Sequence, residues 1–153
     1  MTSDTTNHGR ALGLPLAGIL GLALLAAPRV VLHDLGLVHE GTLVNALLVF
    51  VPVALWVLVT VVRRVPNPFL TLLTVGAVYG VLLGVAHQVF WEANFDGAQP
   101  RLGGNLADVA PGTQELIIRG FAMISSLFTG VIVGAISGLI AWGIARLVAA
   151  DRT

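Results

Sequence analysis

The sequence predicts an all-α, polytopic integral membrane protein: a four-helix transmembrane bundle with both termini inside (N-in/C-in). Three observations predict it. Of 153 residues, 56% are hydrophobic and 10% charged, with a mean hydropathy of +0.92; a soluble domain carries about 25% charged residues. The charges divide the chain into four uncharged stretches, each close to or above the roughly 20 apolar residues that carry a helix across a bilayer core. No stretch alternates with period two, and four spans are too few to close a barrel, so backbone groups in lipid must be paired within helices.

The same composition excludes other classes. Disorder needs low hydrophobicity and high net charge. Eight arginines, with no lysine, are balanced by eight acids, so no basic surface is available for nucleic acid. The absence of cysteine removes disulfides, thiolate metal sites, iron–sulfur clusters and a cysteine nucleophile.

Residues 1–10 read as a disordered cytoplasmic tail and 11–149 as the membrane domain. The first helix, about 11–32, runs past Ala26-Ala27 into Val30-Val31-Leu32 with no A-x-A site to end it, so it is expected to stay as a signal-anchor. The second, 43–62, starts at a Thr42 cap, and Pro52 is expected to kink it. It lacks small residues at regular spacing and is expected to be the span most exposed to lipid. The third, 68–91, opens on Asn67-Pro68, a capping side chain followed by a proline where a missing N–H costs nothing. The fourth, 113–149, is expected to start at a Thr113 cap after Pro111-Gly112 and to be tilted or extended, since roughly 55 Å exceeds the hydrocarbon thickness. Between the last two lies an outer loop, 92–112, whose spaced Phe95, Leu102, Leu106 and Val109 point to a partial lid. Residues 150–153 form a second cytoplasmic tail.

Arginine sets the direction. With the N-terminus inside, Arg10, Arg63, Arg64, Arg146 and Arg152 are inner and Arg29, Arg101 and Arg119 outer. The pair Arg63-Arg64 in a very short loop is the strongest signal. Most acids then fall outside, including Asp34, Glu40, Glu92 and Glu115. The location that follows is a cell membrane, multi-pass, of the bacterial cytoplasmic type.

The most specific pattern is small residues every fourth position: Gly76, Gly80 and Gly84 in the third helix, and Ser126, Gly130, Gly134 and Gly138 in the fourth. Gly13, Ala17 and Gly21 repeat it in the first. Such stripes let backbones approach closely where no hydrophobic drive operates between helices. They are expected to pack the third helix on the fourth, and one of them could also join copies of the chain.

Ionisable groups inside spans mark candidate sites. His87 is the one found here, in line with the third-helix stripe, with Gln88 beside it and Asn45 at similar depth; these three are the candidate ligand-binding residues. His33, Asp34, His39, Glu40, His87 and Glu92 carry donors that a divalent metal would accept, although no motif spacing joins them. No nucleophile elbow, P-loop or dinucleotide fingerprint occurs, so neither an enzyme nor a cofactor is expected. Two readings stay open. The first is an accessory, scaffolding or homo-oligomeric helix-association component whose partners are the lipid bilayer and itself or another membrane protein. The second is a transporter or channel for a small solute or cation, with an outward-facing polar site around His87.

Overall fold

The computed structural model describes residues 12–95 and 98–150. The expected tails lie outside these residues, except Ala150, which ends the last helix. The chain is all-helical, with no strand among the described residues. Among the described residues, four stretches are long and apolar enough to cross a membrane: Leu16–Asp34, Leu43–Val62, Pro68–Val89 and Pro111–Ala150.

The first stretch is two helices, α1 (Leu16–Leu25) and α2 (Ala27–Asp34), meeting at Ala26. The single helix expected over 11–32 is interrupted at 13–15 and at Ala26 and runs on to Asp34; Leu12 is helical and residue 11 lies outside the described residues. Pro28 lacks the N–H that Leu24 would accept from, and its ring crowds that carbonyl. Ala26 N–H accordingly turns to Ala23 O at 3.2 Å. The interruption falls at 13–15, where Gly13 holds a left-handed φ of +67° and Pro15 precedes the first residue of α1, Leu16. A Cβ at Gly13 would collide with Val65 and Pro66, so the chain reaches α1 by lying against the turn between the second and third spans. The end moves to Asp34 because Gly36, at φ +68°, closes a Schellman turn: Gly36 N–H donates to His33 O and Leu37 N–H to Leu32 O, both at 2.9 Å.

Helix α3 (Leu43–Val62) starts at Thr42, whose Oγ1 accepts from Asn45 N–H at 3.2 Å, and it remains helical through a buried Pro52. It ends in the same Schellman arrangement, with Arg64 in the left-handed position at φ 49° and Val65 N–H on Thr60 O at 3.2 Å. Helix α4 (Pro68–Val89) is capped by Asn67, whose Oδ1 accepts from Leu70 N–H at 3.0 Å. It stops at Val89, short of the expected residue 91, and a single turn, α5 (Trp91–Asn94), follows. Helix α6 (Pro111–Ala150) has 40 residues, about 60 Å at 1.5 Å each. It opens at Pro111 rather than behind a Thr113 cap: Thr113 and Gln114 N–H both donate to Ala110 O, at 2.9 and 3.0 Å.

The most extensive contact in the molecule is α4 against α6. The two run antiparallel, Gly84 facing Met123 and Ser126, Gly76 facing Gly130 and Gly134, and Gly138 facing Phe69. A Cβ on Gly76 would fall 2.5 Å from Gly134 Cα, one on Gly130 2.5 Å from Gly80 Cα, and one on Gly134 2.6 Å from Leu72 O. Ser126 and Ser137 on the same seam hydrogen-bond back to Ala122 O and Val133 O in their own helix, at 2.7 and 2.8 Å. The stripe of the first helix behaves differently, since Gly13 lies outside α1 and a Cβ on Gly21 would meet nothing within 4 Å. On the other side of α4, Trp56 and Leu72 are completely buried among Ile19, Leu22, Ala23 and Val75. The α3 span is the least buried of the four, 17% of its apolar window against 39% for α4.

Candidate functional site

Helix α2 buries Val30 and Asp34 on one face, in register with Ile19, Ala23 and Ala26 before them. The last turn of α2 therefore delivers a carboxylate into the bundle. Asp34 is 1% exposed, and its Oδ2 lies 2.7 Å from Nδ1 of His87, three residues beyond Gly84 on α4. The imidazole can donate here to the carboxylate. His87 also lines a groove of about 400 Å³ that runs between Arg29 and the Phe121–Thr129 part of α6. With Nδ1 committed to Asp34, Nε2 is the ring nitrogen left for the groove. The hydroxyls of Ser125, Ser126 and Thr129, which line it too, donate to backbone carbonyls of their own helix. They present acceptor lone pairs to anything that enters.

Asp34 Oδ1 faces His33 Nδ1 at 3.6 Å, and neither of these buried atoms has a hydrogen-bond partner among the described residues. His33 Nε2 lies 3.8 Å from Glu40 Oε1, which is 3.7 Å from Arg29 Nη2. Arg29 Nε donates to Asn45 Oδ1 at 3.1 Å. A continuous line of polar side chains thus runs from exposed Glu40 to the groove.

A second cluster sits on the α6 side. Gln88 donates to Arg119 O at 3.2 Å and accepts from Arg119 Nη1 at 3.3 Å. Arg119 reaches Glu115 at 2.8 Å and Glu92 at 4.0 Å, with its guanidinium 4.6 Å from the centre of the Trp91 ring. Trp91 donates to Gln99, and Gln114 pins the outer loop by accepting from Leu102 N–H and donating to Ala107 O and Val109 O. Loop and helix enclose a cavity of about 410 Å³ lined by Trp91, Gln99, Arg101, Val109, Gln114 and Ile118. Most of the outer loop lies at this cavity, while Asn94 and Phe95 at its start line the His87 groove. Leu106 points outward, 46% exposed.

The three candidate ligand-binding residues are therefore separated: His87 turns to Asp34, Gln88 to Arg119, and Asn45 to Arg29. Neighbours on a helix point about 100° apart, which sends His87 and Gln88 to different elements. Of the metal candidates, His33, Asp34, His87 and Glu40 are linked pairwise, Glu92 belongs to the Arg119 cluster, and His39 has an exposed side chain. Among the described residues no group of three or more His, Asp or Glu is placed to hold a metal ion. Asp34 as the partner of His87 escaped the sequence reading. The signal was present: Asp34 follows Val30 by four positions on the buried face, and Gly36 marks the helix end just beyond it. No family model, no curated protein and no solved structure matches the chain.

Proposed function

We propose that the chain is an integral membrane protein with both termini on the cytoplasmic side, non-enzymatic, whose working end is an outward-facing polar site around His87 that takes a small solute or cation. The observation that carries this reading is the 2.7 Å contact between buried Asp34 and His87 at the edge of a groove. A buried carboxylate costs several kcal/mol unless it is paired, and ionisable groups in such positions mark solute, ion or proton paths by default. The α4 and α6 stripes face each other, which leaves them serving the bundle itself.

The second reading, an accessory or homo-oligomeric helix-association component, is favoured by one observation. Gly21 lies exposed on α1 with open space beside it, where another helix could approach closely. Native mass spectrometry of the protein gently extracted from its own membrane separates the two. A stoichiometric ion or small molecule that is lost in His87→Leu supports the site around His87. A defined complex with another protein or with further copies, carrying no such ligand, overturns it in favour of the accessory reading.

A further inference from the structure

His33 stands between two carboxylates. Its Nδ1 faces Asp34 Oδ1 at 3.6 Å and its Nε2 faces Glu40 Oε1 at 3.8 Å. A neutral imidazole has one N–H and one bare nitrogen, so it presents a lone pair to one of these acceptors. Only the imidazolium can donate to both. A hydrogen on Nδ1, in the neutral Nδ1–H tautomer as in the imidazolium, faces Oδ1 of Asp34, and only the imidazolium adds a second donor toward Glu40.

Charge leads to the same place. Asp34 is sequestered from water, and among the described residues its ion-pair partners are His33 and His87. Arg29 is engaged by Glu40 and Asn45, and Arg119 by Glu115, Glu92 and Gln88. Of the helices packed against α2, α1 and α3 carry no titratable side chain, α4 carries Tyr79 and His87, and α5 carries Glu92. The groups placed to bind a proton beside the Asp34 carboxylate are therefore the two histidines.

We infer that His33, Asp34 and His87 form a proton-binding site, with one exchangeable proton shared across the carboxylate and taken from the outer water. In the proton-poor state Asp34 is ionised, His87 carries its hydrogen on Nδ1 and donates it to Oδ2, and His33 is neutral. Uptake of one proton makes an imidazolium and cancels the negative charge; release returns the proton to water through the exposed Glu40 end or through the groove at His87 Nε2. Because the two rings flank one carboxylate, protonation of either changes what the other ring offers. With the proton on His87 its Nε2 meets a groove ligand as a donor, and with the proton on His33 it stays an acceptor. The inference rests on the reading above only for the place of the site, and its test needs no cargo.

The test is imidazole NMR of the isotope-labelled protein in micelles across pH 4–9. His33 and His87 are assigned from His33→Gln and His87→Gln spectra, with His39→Gln as the control. Expected are shared, two-step curves for His33 and His87 in the unaltered chain, as coupled sites give. Asp34→Asn is expected to separate them into independent single steps, and His33→Gln to change the His87 curve while His39→Gln leaves it alone. Independent single-step curves in the unaltered chain, or a His87 curve indifferent to His33→Gln, would overturn the inference. The unaltered spectra decide the matter even if Asp34→Asn does not fold. Coupled curves in a protein found to carry no solute would uphold the proton site and sink only the cargo reading.

Discussion

Trp56 shows how a single side chain repairs a break made elsewhere in the sequence. Pro28 interrupts the first span, and Ala26 N–H bonds to Ala23 O in place of Leu22 four residues back. The indole of Trp56, wholly buried, donates to the Leu22 carbonyl at 2.7 Å and meets Tyr79 edge-on at 5.8 Å. Removing the N–H while keeping an aromatic ring leaves that carbonyl unpaired in the core. Trp56→Phe is expected to cost about 1–2 kcal/mol of stability, for a lost hydrogen bond plus a smaller ring. Trp142 is 45% exposed and stacks on Arg146 at 4.9 Å, so Trp142→Phe should change stability by less than about 0.5 kcal/mol. Denaturant unfolding in mixed micelles compares them, and equal losses would show that the indole bond is not what holds α1 to α3.

At the scale of elements, the α4–α6 seam predicts opposite signs for one substitution. Gly76→Ala and Gly130→Ala place a methyl where backbone already lies, so the helices must separate, at about 1–3 kcal/mol each. Gly84→Ala meets the sulfur of Met123, a flexible end that can swing away, and should cost less. Gly120 and Gly143 would meet nothing within 4 Å, so alanine there should stabilise by up to about 1 kcal/mol through helix propensity. Loss of stability at all five positions, read as unfolding midpoints, would contradict the packing described. Spacing made this seam visible in the sequence, because a four-residue repeat fixes one helix face whatever lies opposite. Caps were visible for the same local reason at Thr42 and Asn67. What escaped depended on partners that the local pattern did not disclose. Pro28 read as part of an apolar run, yet it splits the helix. Asp34 lies just past the apolar run that closes at Leu32, although Gly36 places the helix end at Asp34. His87 was found by its isolation within a span, but its partner required knowing which face of α2 turns inward.

The whole molecule has two ends of different charge. Gly13 lies on Val65 and Pro66, and Arg64 lines a cavity with Ala145 and Val148, so the start of span one, the α3–α4 turn and the end of α6 lie together. Among the described residues that end holds Arg63, Arg64 and Arg146 with no acid, three positive charges. The contacts of Asp34 with His87 and of Arg119 with Glu92 gather the opposite end. There Arg29, Arg101 and Arg119 are outnumbered by Asp34, Glu40, Glu92, Asp108 and Glu115, three positive against five negative, a net of two negative charges. Because arginine near short loops is retained on the cytoplasmic side, the arginine-only end should face inward and the Asp34–His87 site outward. The chain has no cysteine, so one introduced thiol reports without background. Asn67→Cys should be protected from an impermeant maleimide in intact cells and label after permeabilisation, whereas Ala98→Cys should label in both. Reversing the turn with Arg63→Glu and Arg64→Glu should expose part of the Asn67→Cys population from outside, since it removes the strongest orienting charges. Labelling of Asn67→Cys in intact cells with both arginines present would invert the molecule and put His87 on the cytoplasmic side. Any proton or solute bound there would then be drawn from the cytoplasm.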